Sequence, residues 1–147
     1  MRLGEADILI RDCIILPMVG REVVREGVIA IKNDKISYVG KKSKAPRVRA
    51  EKIIDGRGKV AMPGLVNCHT HLAMTLFRGI AEDQPLKKWL KETIWPLEAK
   101  LKPEDVYDGA LLGCLEMIKG GTTTFADMYF HEDQVAKALK KPACGPF

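Results

Sequence analysis

The sequence contains no apolar run approaching the ~20 residues that cross a bilayer, and no charged-then-apolar leader opens it. These absences argue against a helical membrane protein and make the cytoplasm the expected location. Its four cysteines, Cys13, Cys68, Cys114 and Cys144, are scattered with no C-x-x-C pair. A disulfide framework or zinc ribbon is therefore not expected, and separate thiols in a reducing compartment account for them. Aromatic residues make up only 6% of the chain. That scarcity matters between Lys41 and Lys59, where most of the excess positive charge lies. Eight lysines and arginines there outnumber Glu51 and Asp55, and no aromatic side chain is interleaved with them. A nucleic-acid groove needs stacking platforms as well as charge, so this run reads as a solvated loop and strand face.

What is present is ordinary globular material. The chain has 147 residues, 46% hydrophobic and 29% charged, with a net charge of +5. That is enough for one domain core and carries no bias toward disorder. The first 62 residues are β-rich. "ADILIRDCIIL" reads as a strand, and "GVIAIKNDKISYVG" as a hairpin turning at Asn33–Asp34. "EKIIDGRGKVAMPG" gives a short strand at Ile53–Ile54, a glycine turn and a further strand toward Met62. The pattern predicts a small antiparallel unit.

From Leu65 the periodicity changes. "LVNCHTHL" reads as a buried strand. Leu86, Trp89, Leu90, Ile94, Leu97 and Leu101 then follow helical spacing, with Pro96 predicted to break the run in two. "KPEDVYDGALLGCLEMIKGG" is the clearest helix, with Pro103 at its start, Glu104 and Asp105 in its first turn and Gly120–Gly121 as its stop. "TTTFADMYF" is a second strand and "HEDQVAKALKK" a further helix. Strand, helix, strand, helix implies parallel strands joined by crossovers. Two such strands close no core, and a complete (β/α)8 barrel takes ~250 residues. With "KKPACGPF" interrupting the last helix, the chain reads as the front part of a longer protein.

The third histidine, His131, reads as a polar residue opening a helix. The other two stand in "VNCHTHL". Alternate residues of a strand share a face, so His69 and His71 point one way and Cys68 and Thr70 the other. At ~3.3 Å per residue their Cα atoms lie ~6.5 Å apart, close enough for both rings to hold one ion. Imidazole suits zinc, iron, nickel or copper. Taken alone, the spacing leaves ligand and packed pair both open.

The surrounding "KVAMPGLVNCHTHLAMTLFRGIAED" resembles the metal-binding signature of the amidohydrolase superfamily, with its proline-glycine turn before an H-x-H strand. "GVIAIKNDKISYVG" and "IIDGRGK" are similar to the β-sandwich strands that open those proteins. "MTLFRGIAEDQPLKKWLKETIWPLEAKL" and "GTTTFADMYFHE" resemble the branch holding 5-methylthioadenosine/S-adenosylhomocysteine deaminases and triazine-type chlorohydrolases. The resemblance runs to about Lys140, where the tail departs from it. It implies an α/β chain in two parts. Residues 1–62 would be a small β-sandwich segment of a composite domain, and residues 63–147 the first βα units of an incomplete metal-dependent hydrolase (β/α)8 barrel.

The resemblance also implies roles. His69 and His71 would be two ligands of a divalent metal, usually Zn2+, with another such as Fe2+ left open, which lowers the pKa of a bound water. Glu98, in "WPLEAKL", would accept hydrogen bonds from ribose hydroxyls, and Trp89 would line the same substrate pocket. The implied reaction is hydrolytic loss of ammonia from adenine C6 in S-adenosylhomocysteine, 5′-methylthioadenosine or a related nucleoside. The remaining ligands and the acid-base groups would lie beyond residue 147, so no catalytic residue is expected among these. Triazine chlorohydrolysis and guanine or cytosine deamination are the rival reactions, separated by whether Glu98 serves a ribose. A truncated or frameshifted chain without activity is the other reading. Its expected partner is a small-molecule nucleoside, with neither nucleic acid nor membrane. An unclosed sheet would favour association of identical copies. Cytidine-type zinc deaminases need H-x-E with P-C-x-x-C, which this sequence lacks, so Cys68 is not expected to bind the metal.

Overall fold

The structure, a computed structural model, describes residues 4–140. It divides into two compact units with the boundary between Pro63 and Gly64. The prolines, glycine and Cys144 of the tail fall outside the described residues.

The first unit is a single five-stranded sheet in the order β3-β2-β1-β4, with β5 also on β1. Its strands are β1 (Gly4–Ile15), β2 (Val24–Lys32), β3 (Lys35–Lys41), β4 (Val48–Asp55) and β5 (Val60–Ala61). The hairpin at Asn33–Asp34 forms as expected, with Lys32 opposite Lys35 and Asn33 at φ 54°. The sheet is mixed, however, not antiparallel. A short 3-10 turn at Lys42–Lys44 leads the chain to the far edge of β1, where β4 and then β5 pair with it in parallel. Alternation marks the faces of a strand but not its neighbours, which is why the sequence did not show this. Gly56 sits where the chain passes from β4 to β5, its amide on the Arg11 carbonyl. A Cβ there would stand 2.6 Å from Cys13 Cβ and 2.8 Å from the Arg11 carbonyl oxygen, so only glycine fits.

The second unit opens with β6 (Leu65–Thr70), which pairs in parallel with β7 (Thr122–Asp127). Between them come a 3-10 segment (Leu72–Phe77), a helical run over 86–98 and α3 (Pro103–Gly120), and after β7 comes α4 (Glu132–Leu139). Gly121 at φ 82° ends α3, as its position implied. The Asp105 carboxylate accepts the Lys102 amide at 2.8 Å at the helix start. Pro96 does not break the earlier helix. The run passes from α1 (Leu86–Lys88) through a π-helical stretch (Trp89–Ile94) into α2 (Trp95–Glu98). The Trp95 amide reaches back five residues to the Leu90 carbonyl. Widening the turn lets the chain absorb a residue that has no N–H and would crowd the preceding turn.

The core of this unit joins Leu72 and Ala73 to Val106, Ala110 and Cys114 of α3 and to Val135 and Ala138 of α4. α3 lies close on the 3-10 segment because Gly109 and Gly113 share one face. A Cβ on Gly109 would stand 2.7 Å from the Ala73 carbonyl oxygen, and one on Gly113 2.6 Å from Leu72 Cδ1. Thr75 Oγ1 donates to the Gly109 carbonyl at 3.0 Å across the same contact. No helix among the described residues is long and apolar enough to cross a membrane.

Candidate metal and substrate site

β6 ends at Thr70, one residue before the second histidine, so His71 is the first residue of the turn and not the last of the strand. The pair still converges, with ring centroids 5.2 Å apart at 80°. A hydrogen bond fixes the orientation of His71: its Nδ1 lies 2.6 Å from the Met128 carbonyl oxygen. A carbonyl only accepts, so in the neutral ring Nδ1 carries the proton and Nε2 the lone pair. This is the arrangement of a metal-binding imidazole, whose other nitrogen is held by a backbone or carboxylate acceptor.

Asp127, at the end of β7, builds that arrangement. Its Oδ1 accepts the Leu72 amide at 3.0 Å and the Met128 amide at 2.9 Å, tying the turn after β6 to the residue that holds His71. Its Oδ2 is buried with no hydrogen-bond partner among the described residues. A buried carboxylate oxygen without a donor is costly, and a cation or proton donor at this end of the sheet would relieve it. Two converging imidazoles, one with its ring orientation fixed, are donors of the kind a divalent metal accepts, but two donors alone do not complete a site. No group of three or more histidine, cysteine or acidic side chains placed to hold an ion occurs among the described residues.

Beside His71 opens a largely apolar cavity of about 490 Å³. Leu86, Trp89, Leu90 and Ile94 line it from the helical run, with Glu98 at that run's end and Met128, Tyr129 and Phe130 opposite. The structure thus brings together three of the four residues singled out in the sequence, His71, Glu98 and Trp89. His69 touches the group through His71 and is not itself part of the wall. Trp89 has a packing task as well, since its indole N–H donates to the Ile80 carbonyl at 3.3 Å. Arg78, just after the 3-10 segment, makes a two-pronged pair with Glu116 at 2.7 and 2.6 Å. His131 takes the cap position of α4 at φ 54°, matching its structural reading. Cys68 is exposed.

Sequence reasoning missed Tyr129. Its hydroxyl donates to Glu98 Oε1 at 3.0 Å, its ring lies 6.1 Å from that of His71, and its amide donates to Glu132. Burial, with the Glu98 carboxylate beside it, pushes its hydroxyl well above the ordinary tyrosine range, so it stays protonated and can donate. Nothing local marks this residue, because its partner is 31 positions away.

The sequence pattern of the amidohydrolase family matches residues 60–147. The chain belongs to that family. It is 55% identical over 138 residues to a 5-methylthioadenosine/S-adenosylhomocysteine deaminase of Pelotomaculum thermopropionicum, covering 92% of this chain and 32% of the relative. Against a 5′-deoxyadenosine deaminase of Methanosarcina acetivorans the identity is 52% over 136 residues, covering 92% and 31%. The crystal structure of an adenosine deaminase from Xanthomonas campestris with bound zinc superposes with a TM-score of 0.89 at 37% identity, covering 95% of this chain and 32% of that one. The chain spans about a third of the length of the curated relatives it matches.

Proposed function

We propose that these residues supply the first two metal ligands and one wall of the nucleoside pocket of a metal-dependent aminohydrolase acting on adenosine-type nucleosides. The observation that carries this is the convergence of His71, its Nε2 left free by the bond to Met128, with the Glu98 carboxylate on one apolar cavity. The relatives' names, which cover 5-methylthioadenosine, S-adenosylhomocysteine and 5′-deoxyadenosine deamination, support the substrate class. On this reading the first unit is part of a β-sandwich and the second is the opening of a (β/α)8 barrel. The parallel β6–β7 pair with its intervening helices, followed by α4, supports that placement.

His69 and His71 would hold the ion, zinc as in the Xanthomonas structure or another divalent metal. When bound, it lowers the pKa of a coordinated water toward neutrality. Glu98 would accept hydrogen bonds from two adjacent ribose hydroxyls, since each oxygen of a carboxylate has two lone pairs. Trp89 and the apolar wall would exclude water from the base and from an apolar 5′ substituent. A catalytic zinc takes three protein ligands and a water, and two are present here. The 147 residues by themselves are therefore expected to bind without turnover and, with Leu65 51% and Val66 64% exposed, to self-associate.

Calorimetry with zinc and an ammonia-release assay with 5′-methylthioadenosine test the reading. Zinc binding that disappears in His69→Ala and His71→Ala, with no ammonia from the mass-verified chain, is the expected result. Zinc affinity indifferent to both substitutions would refute the ligand assignment. Ammonia release at an enzymatic rate would refute the claim of binding without turnover.

A further inference from the structure

Glu98 ends a short helical turn, and its carboxylate sits on a flexible stem. Left free, that stem would have to be immobilised whenever a ligand arrived, at a cost that weakens binding. The Tyr129 hydroxyl already holds Oε1 at 3.0 Å. Tyrosine is a suitable anchor, with only two side-chain torsions, and several contacts restrain this one. Its amide bonds to Glu132 at the start of α4, its ring meets Phe130 at 5.2 Å and His71 at 6.1 Å, and its body packs on the buried cluster of α3 and α4.

We propose that Tyr129 is the positioning residue of the pocket, presetting the Glu98 carboxylate relative to His71 so that its remaining lone pairs accept both hydroxyls of a vicinal diol. The inference rests on the nucleoside reading above and deepens it. Preference for a ribose over a deoxygenated sugar is then set by a pair of residues, one contacting the ligand and one acting through it. Tyr129 itself needs no contact with the sugar.

Ligand-observed NMR titration of the zinc-loaded 147-residue chain separates the two claims, using 5′-methylthioadenosine and 2′,3′-dideoxyadenosine as probes. Tyr129→Phe removes only the hydroxyl. It should weaken binding of the first probe about tenfold, the scale of a hydrogen bond to a charged group, and leave the second within twofold. Glu98→Gln should weaken the first probe at least as much. Adding Tyr129→Phe to Glu98→Gln should then cost little more, because the two act as one unit. No binding of 5′-methylthioadenosine by the unaltered chain, or binding that Glu98→Gln leaves unchanged, overturns the nucleoside reading itself. Binding that Glu98→Gln weakens and Tyr129→Phe does not overturns only the role of Tyr129. Equal weakening of both probes by Tyr129→Phe also overturns it, since that is what a packing residue would do.

Discussion

The two units use their strands differently. The first pairs five strands in one mixed sheet, buries Ala6, Cys13, Ile15, Val24, Val28 and Ala30, and carries the basic run on its exposed positions. The second has only two strands, leaves Leu65 and Val66 exposed on the first of them, and builds its core from helices packed on the turn after β6. Every residue of the candidate site belongs to this second unit. Both units leave apolar strand residues exposed, Ile36, Val39, Ile53 and Val60 in the first and Leu65 and Val66 in the second, but only the second holds the converging histidines. Reactive groups at the end of a parallel strand pair are placed by the connections that follow the strands.

The comparison can be broken most severely at the glycine contact of α3. Gly109→Val should cost the second unit about 3 kcal/mol, because its side chain meets the Ala73 backbone carbonyl, which cannot move aside cheaply. Both tryptophans, Trp89 and Trp95, lie in this unit, so their fluorescence during denaturant unfolding reports the loss. Amide exchange in β1 and β2 should not change. Zinc sharpens the contrast from the other side. At a hundredfold over its dissociation constant it should stabilise the second unit by about 2.7 kcal/mol, an increment absent in His71→Ala, and leave the first unit's exchange rates unaltered.

Gly56→Ala is the counterpart in the first unit. It should destabilise that sheet by about 2 kcal/mol through contact with Cys13 and the Arg11 carbonyl, visible as faster exchange across β1, with tryptophan fluorescence unaffected. The smallest effect concerns pH. The Arg57 guanidinium holds the Asp55 carboxyl down to about 2, against 3.8 when unperturbed. The folded state therefore keeps this carboxylate ionised where the unfolded chain has begun to protonate it. Its contribution is complete above about pH 4 and fades as the pH falls toward 2. The pair is solvent-exposed, so the effect should be slight: Asp55→Asn should flatten the acid limb of the first unit's stability in that window alone. In the second unit Arg78 likewise holds Glu116 below the usual range, so its own acid limb should survive the Asp55 change.

Much of this arrangement was legible in the residues. The hairpin at Asn33–Asp34, the helix from Pro103 to Gly120 and the parallel order of β6 and β7 follow from turn chemistry and periodicity, which act over a few positions. Pro96 misled because a proline's effect depends on whether neighbouring turns can widen, and here they do. The β4–β1 pairing was hidden because a strand does not specify its partner. Of the site, a period of two did not show that His71 leaves the strand for the turn, but the nearness of His69 and His71 was readable from their spacing. The Met128 carbonyl on His71 and the Tyr129 hydroxyl on Glu98 were not, being 57 and 31 positions from their partners.

The sequence by itself determined which side chains could ligate, accept and pack, and which short segments would be strand or helix. Those properties reside in covalent geometry and local backbone preference. Only the tertiary structure decided that the histidine beyond the strand shares a cavity with Glu98, which imidazole nitrogen is left free, and what holds the carboxylate. Each of these depends on distant segments meeting at hydrogen-bond distance, and that is set by the packing of α3 and α4 against the turn after β6.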